Sequence, residues 1–247
     1  MRKSLSGNVP GKTASLMLVG VPIGDPGDLS QRAMEALRNA DVIACEERRE
    51  ARRILARLDI QTDLIEINEH TEENAAQEVI TEIISGKTCA LISDCGMPVF
   101  ADPGASLVSR AIDAGIDVRV VPGPTSLTTA MAVAGIPMKR FYFHGFLSAK
   151  KEERRAELRR LRIMDVPVVF LDAPYRLRQV LEDICSIMGR SRHLCVACDL
   201  TLQNEFVFRG TAEAAHAYFT AHAWKREYVI IMDAPAPGSK RPAVRKP

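Results

Sequence analysis

Short apolar runs alternate with amphipathic stretches along most of the chain. Residues 89–92 (CALI) form a short apolar run of the kind a buried parallel strand shows, and 15–21 (SLMLVGV), 41–45 (DVIAC), 64–67 and 118–121 are further expected strands. Between them the pattern turns helical. Ser30 suits the N-cap of a helix over 31–38, and a strongly charged helix covers 47–58. Thr71 suits the cap of the next helix, with Glu72 and Glu73 in its first turn, where they complement the helix dipole. Ala76, Val79, Ile80, Ile83 and Ile84 share one face of that helix, and Gly86 suits its exit. Further helices are expected over 105–114, ended by Gly115, and over 127–134. Strands that feed Gly/Pro-rich loops and then helices imply a mostly parallel sheet covered on both faces.

The second half alternates again. Strands are expected at 141–146, 168–171, 193–198, 205–208 and 228–232, with helices at 151–161, 176–188 and 212–221. Gly135-Ile136-Pro137 marks a hinge, so the fold class is α/β in two domains, 14–137 and 138–234. Residues 1–13 read as a loose polar tail and 235–247 as a disordered, Pro-rich basic one.

Composition narrows the function classes. With 247 residues, 47% of them hydrophobic, each half has enough apolar side chains for a core. A formal net charge of +2 is not that of a polycation, so contact with nucleic acid requires a local basic patch. No apolar run approaches the ~20 residues of a membrane span, and the N-terminus lacks the apolar core of a secretory signal. The expectation is a cytoplasmic protein with no membrane partner. The six cysteines are scattered, and several lie within apolar runs. Cys195-Val196-Ala197-Cys198 sits in a predicted strand, where residues three apart face opposite sides, and no second such pair completes a zinc site. No metal is expected.

Chemistry concentrates in the loops after strands. The chain has no GxGxxG after its first strand, and no GxxxxGK[ST], GxSxG or HExxH. It has instead Val21-Pro22-Ile23-Gly24, Glu46-Glu47-Arg48-Arg49, Glu69-His70, Ser93-Asp94-Cys95-Gly96-Met97-Pro98, Asp102-Pro103-Gly104 and Pro122-Gly123-Pro124-Thr125-Ser126. Gly145-Phe146-Leu147, Ala173-Pro174-Tyr175-Arg176-Leu177, Asp199-Leu200-Thr201 with Glu205, and Arg209-Gly210-Thr211 follow in that order. This series, across roughly residues 15 to 233, resembles the ribosomal small-subunit RNA 2′-O-ribose methyltransferases of the tetrapyrrole methylase superfamily, which act on a cytidine. The combination SDxGxPxxxDPG with PGPxS is the specific part of the likeness.

The resemblance implies a class III methyltransferase fold. Its two α/β domains would enclose S-adenosylmethionine in a cleft, usually in a homodimer, with the rRNA of the small ribosomal subunit as substrate. Carried over residue by residue, it assigns cofactor binding to Pro22, Gly24, Ser93, Asp94, Cys95, Gly96, Pro98, Val99, Asp102, Thr125, Ser126, Leu171, Pro174 and Leu200. The chain departs from the family pattern at Arg48, Met97 and Ala101, at 173–176 and at 198–202; several departures replace hydroxyls or cations. Catalytic candidates are Glu46, Arg49, Asp172 and Arg176, with Glu69, Asp94 and Asp102 as further loop-end acids. Each acid also suits a cap, a turn or a ribose ligand, and the choice of base stays open. The run 150–162 carries seven cations against three acids. It is either a solvated helix face or a phosphate-gripping edge; Lys150, Lys151, Arg154 and Arg155, with Arg48 and Arg52 elsewhere, are the RNA-binding candidates. Methylation of a small tetrapyrrole, or a silent RNA- or cofactor-binding role, are the competing readings.

Overall fold

A computed structural model describes residues 14–68, 71–222 and 225–235. The expectations for the two tails and for Glu69-His70 lie outside the described residues, apart from Pro235. The chain divides into two compact units, 1–125 and 126–247.

In the first unit, strands β1 (Ser15–Val19), β2 (Val42–Cys45), β3 (Asp63–Glu66), β4 (Cys89–Ile92) and β5 (Asp117–Val121) form one sheet. Their order is β3-β2-β4-β1-β5, and every pairing is parallel. Helices α1 (Gln31–Asn39), α2 (Arg48–Arg57), α3 (Glu72–Ile84) and α4 (Ala105–Asp113) connect the strands. β2 and β4 are buried at every position, which is why their sequences read as unbroken apolar runs. Two cores follow. Val42, Ala44, Cys89 and Leu91 pack with α3 and α4; Ile43, Cys45, Ala90 and Ile92 pack with α1 and α2. Alternate residues of the same strands thus feed opposite layers.

Local signals account for the ends. Ser30 caps α1 by accepting the Ala33 N–H at 3.1 Å. Thr71 sits at the N-cap of α3 but makes no capping bond; its hydroxyl is engaged in the preceding turn with Asn68. One short element had no periodic signal, the 3-10 turn Pro26–Asp28 capped by Asp25.

The second unit contains α5 (Ser126–Ala134), β6 (Tyr142–Phe146), α6 (Lys151–Leu161), β7 (Val168–Asp172), α7 (Leu177–Met188), β8 (His193–Cys198), β9 (Phe206–Thr211), α8 (Ala212–Ala221) and β10 (Tyr228–Met232). The sheet order is β6-β7-β10-β8-β9. Only β6 and β7 pair in parallel; the other three pairings are antiparallel. Val168, Phe170, Leu194, Val196, Tyr228, Ile230 and Met232 build a core with α6, α7 and α8. The division falls at Thr125/Ser126 and not at residue 137, because α5 packs on β8, β9 and β10. Gly135 (φ 71°) ends α5, and the Arg209 guanidinium closes that end by donating from Nε to the Val133 carbonyl at 2.9 Å.

Candidate functional site

The topology selects one corner of the first unit. The chain leaves β4 toward the helices of one face, whereas it leaves the flanking strands β2 and β1 toward the helices of the other. Connections that diverge from neighbouring strand ends open a crevice, and ligands of open α/β sheets sit there. Here the β4 end has such a divergence on both sides. The loops at those ends are tied together. The Val21 N–H donates to the Gly96 carbonyl at 2.9 Å, and Gly20 N–H donates to the Val121 carbonyl at 3.0 Å. Asp94 Oδ1 accepts the Glu47 N–H at 3.1 Å, which links the β4 loop to the start of α2.

Two glycines set how close these ends come. A Cβ placed on Gly20 would lie 2.6 Å from the Gly123 backbone and 2.7 Å from Met97 Sδ. A Cβ on Gly123 would lie 2.8 Å from Gly20 Cα. The ends of β1 and β5 therefore pack backbone on backbone, with the Met97 thioether leaning on the same spot. A Cβ on Gly96 would be 3.4 Å from Ile23 Cγ2 and 3.5 Å from the Pro124 carbonyl, so the loops after β1, β4 and β5 converge. Pro22, Gly24, the 93–98 turn and Thr125 lie on these converging loops.

The loop after β4 is strained. Gly96, Val99, Ala101 and Gly104 all have positive φ, at 77°, 71°, 63° and 118°. A β-branched residue in that region costs on the order of 1–3 kcal/mol and persists only where its surroundings enforce it. The enforcement is visible. Glu72, in the first turn of α3, accepts the Gly104 N–H at 3.0 Å and the Ser106 N–H at 3.1 Å, and so caps α4 from a neighbouring helix. Glu73 pairs with Arg110 beside it. Val99 packs against the α3/α4 core. Ser93, buried, donates from Oγ to the Cys95 carbonyl at 2.9 Å and accepts the Cys95 N–H at 3.3 Å. Desolvation raises the Asp94 and Asp102 carboxyls above the usual range; the Glu47 N–H and the Ser93 hydroxyl oppose that rise.

A second strained loop follows β8 in the other unit, where Asp199 (φ 48°) and Thr201 (φ 67°) flank buried Leu200. Asp199 Oδ2 accepts from Asn204 and Arg226, each at 2.8 Å, and Thr201 N–H donates to Glu205 at 2.8 Å. Among the described residues, five non-glycine positions have positive φ, and four of them lie in these two loops. Strain this concentrated points to function.

Three expected site residues have other work. Asp172 and Arg176 are buried; Arg176 Nε lies 3.0 Å from Asp172 Oδ1, and the guanidinium donates to the carbonyls of Leu147 (3.0 Å) and Ser148 (2.6 Å). Burial raises the Asp172 carboxyl. Largely closed off from solvent, the pair clamps the loop between β6 and α6, while Asp172 Oδ2 is buried without a hydrogen-bond partner. Arg154 is only 3% exposed and bonds Asp183 from Nε at 2.9 Å, so it is no surface cation. A helix shows this face to the core because Arg154, Leu158 and Leu161 share one stripe. The remaining candidates stay accessible: Glu46 is half-buried, and Arg48, Arg49 and Arg52 are exposed on α2. Arg48 and Arg52 line a groove of about 330 Å³ that also holds Asp63, Glu78 and Glu82, a mixed-charge surface and not a uniform cationic track. No group of three or more His, Cys, Asp or Glu that could hold a metal occurs among the described residues, and no helix there is long and apolar enough to cross a membrane.

Sequence reading missed Gly20, Glu72 and the Arg154–Asp183 pair. Gly20 had a signal, since a glycine inside a strand pattern marks close backbone approach. Glu72 and Asp183 had none, because their partners are 32 and 29 residues away in sequence.

Residues 15–216 match the family model described as Tetrapyrrole (Corrin/Porphyrin) Methylases. A Halalkalibacterium halodurans protein named ribosomal RNA small subunit methyltransferase I is 37% identical over 219 residues, 89% of this chain and 75% of that one. A Thermotoga maritima protein of the same name is 38% identical over 217 residues, 88% of this chain and 97% of that one. Among solved structures, diphthine synthase superposes with a TM-score of 0.72 at 17% identity, covering 89% of this chain and 90% of that one. Uroporphyrin-III C-methyltransferase from Thermus thermophilus, complexed with S-adenosyl homocysteine, gives 0.62 at 18% identity, covering 89% and 97%. At such identities these two structures share the fold.

Proposed function

Because the chain belongs to the tetrapyrrole (corrin/porphyrin) methylase family, we propose that it transfers a methyl group from S-adenosylmethionine to small-subunit ribosomal RNA. The acceptor in this reading is the ribose 2′-hydroxyl of a cytidine in 16S rRNA, and the enzyme works in the cytoplasm as a homodimer. One observation carries the reading: relatives at 37–38% identity over nearly nine tenths of the chain bear the name ribosomal RNA small subunit methyltransferase I.

The residues present fit the cofactor. Pro22, Gly24, Ser93, Asp94, Cys95, Gly96, Pro98, Val99, Asp102 and Thr125 are the proposed cofactor residues of the first unit; Ser126, Leu171, Pro174 and Leu200 are those of the second. The strained 96–104 backbone, held by Glu72, is a preorganised cradle of the kind a polar nucleoside needs. S-adenosylmethionine, when bound, supplies an electrophilic methyl group. In-line displacement asks the protein mainly for alignment and exclusion of water, which rigid loop ends provide. A ribose hydroxyl is a poor nucleophile and gains from a base and from a cation that favours its alkoxide. With Asp172 and Arg176 enclosed, Glu46 and Arg49, beside the Asp94–Glu47 link, are the proposed pair for those roles. Arg48 and Arg52, on the same helix, are proposed RNA contacts.

The test is incubation of the protein with labelled S-adenosylmethionine and small subunits from cells lacking it, followed by mass spectrometry of the RNA. A ribose-methylated cytidine is expected, and Glu46→Gln should lower the rate with little change in cofactor affinity. Label transferred to a porphyrinogen and never to RNA would select the tetrapyrrole reading.

A further inference from the structure

The basic run 150–162 resolves into two faces with different chemistry. Arg154, Leu158 and Leu161 point inward. Arg154 is neutralised by Asp183, and donates from Nη1 to the carbonyls of Ser148 and Ala149 at 3.4 and 3.2 Å. Lys150 pairs with Glu153 at 2.9 Å, and Glu157 accepts the Ser148 N–H at 2.9 Å and stands 3.6 Å from His144. The acids Glu153 and Glu157 are thus engaged at the helix start and beside β6.

On a helix turning 100° per residue, Lys151, Arg155, Arg159 and Arg162 fall within an arc of about 80°, and at 1.5 Å per residue they extend along about 16 Å. Lys151, Arg159 and Arg162 are exposed and have no ion-pair partner among the described residues; Arg155 is part-exposed, with Asp183 Oδ1 3.5 Å away. Glu152 borders the arc, and no acid lies inside it. The helix is also held rigidly. Arg154–Asp183 bolts it to α7, and the Arg176–Asp172 pair fixes the loop that leads into it. A cationic row on a fixed support loses little backbone entropy when a polyanion docks.

We propose that this row, Lys151, Arg155, Arg159 and Arg162, is the track on which α6 grips the phosphates of the substrate RNA; the proposal rests on the rRNA reading above and adds the surface that binds it. Phosphate contacts position a nucleic acid and make its binding salt-dependent, by about 0.7 of a log–log slope unit per contact on a single strand.

The experiment measures binding of the full chain to small-subunit RNA across a series of potassium chloride concentrations. The variants are the triple Lys151→Gln/Arg159→Gln/Arg162→Gln and the single Arg162→Gln and Arg160→Gln. Arg160 is also exposed and carries the same charge, but lies about half a turn from Lys151. The triple variant should flatten the slope by about 2, so that a fourfold dilution of salt recovers about 20-fold less affinity. Arg162→Gln should flatten it by about 0.7 and Arg160→Gln should leave it unchanged. Calorimetry with S-adenosylmethionine and sedimentation should not distinguish any variant from the parent. A parent that binds RNA while the triple variant keeps its slope would overturn the track and leave the rRNA reading standing. Equal effects of Arg160→Gln and Arg162→Gln would overturn it too, since total charge and not the row would then govern binding. A parent that binds S-adenosylmethionine but no small-subunit RNA would remove both readings. A change of oligomeric state in the triple variant would overturn the proposal by making this face an interface between copies of the chain.

Discussion

Gly20→Ala is the most informative single perturbation of the proposed site, because it adds one methyl group where three loops meet. Carbon atoms in contact prefer a separation of about 3.5–4.0 Å. The new Cβ would stand 2.6 Å from Gly123 Cα, 2.6 Å from Gly123 N and 2.7 Å from Met97 Sδ. The first two partners are backbone, so the ends of β1 and β5 must separate by roughly 1 Å, carrying the 21–24 and 122–125 loops with them. Overpacking of this kind costs about 1–3 kcal/mol, and with backbone partners the upper end applies. At a urea m-value of about 2 kcal/mol/M, a 3 kcal/mol loss moves the unfolding midpoint by about 1.5 M. Gly115→Ala is the control: its added Cβ meets nothing within 4 Å, and its φ of +70° brings only the left-handed penalty of about 1–2 kcal/mol. Calorimetric titration with S-adenosylmethionine should show affinity lowered about tenfold or more in Gly20→Ala, a loss of about 1.4 kcal/mol, and unchanged in Gly115→Ala. Adding Met97→Ala to Gly20→Ala should recover the smaller part of the stability, since only the sulfur contact is relieved. A Gly20→Ala protein with the parent's midpoint and affinity would refute the reasoning.

Other outcomes follow from buried charge and thiols. Asp183→Asn leaves Arg154 buried without its counter-ion and should cost about 3–5 kcal/mol in urea unfolding; an unchanged midpoint would mean that α6 is not held by this pair. Asp172 has its native carboxyl raised by burial, so its contribution to stability is fully present below the unfolded value near 3.9 and is lost as pH rises through the native value. The stability of the parent relative to Asp172→Asn should therefore fall with rising pH across that window, and a rise would contradict the burial cause. Cys45 and Cys195 are pushed up to about 11 and Cys89 to about 12 by burial, whereas Cys95 is the exposed cysteine, on the proposed cofactor loop. Iodoacetamide followed by peptide mass spectrometry should find Cys95 alkylated first, and S-adenosylmethionine should slow that reaction alone.

Legibility divided along the range of the forces involved. Every strand and helix of the first unit was visible as a local pattern, and α6, β8, α8 and β10 begin and end where periodicity placed them. The 93–104 loop was legible too, because acids, glycines and prolines after a buried strand suit few other structures. The second sheet's mixed pairing was not legible, since an antiparallel strand such as β10, buried at every position, reads like a parallel one. Nor was the boundary at Thr125/Ser126, which depends on where α5 packs.

Asp172, Arg176 and Arg154 show the same limit at the level of single residues. By type and position they suit a site; their partners, Leu147, Ser148 and Asp183, are chosen only when helices stack on the sheet. The sequence by itself determined the elements and the family and marked the loops proposed to hold the cofactor, since these rest on short-range propensity and spacing. Tertiary structure alone decided which charges are spent inside the protein and which face outward, because burial and ion pairing are properties of packed surfaces. It likewise decided that Val99 and Ala101 adopt left-handed backbone, a cost that no local preference would select and that Glu72, from another helix, helps to sustain.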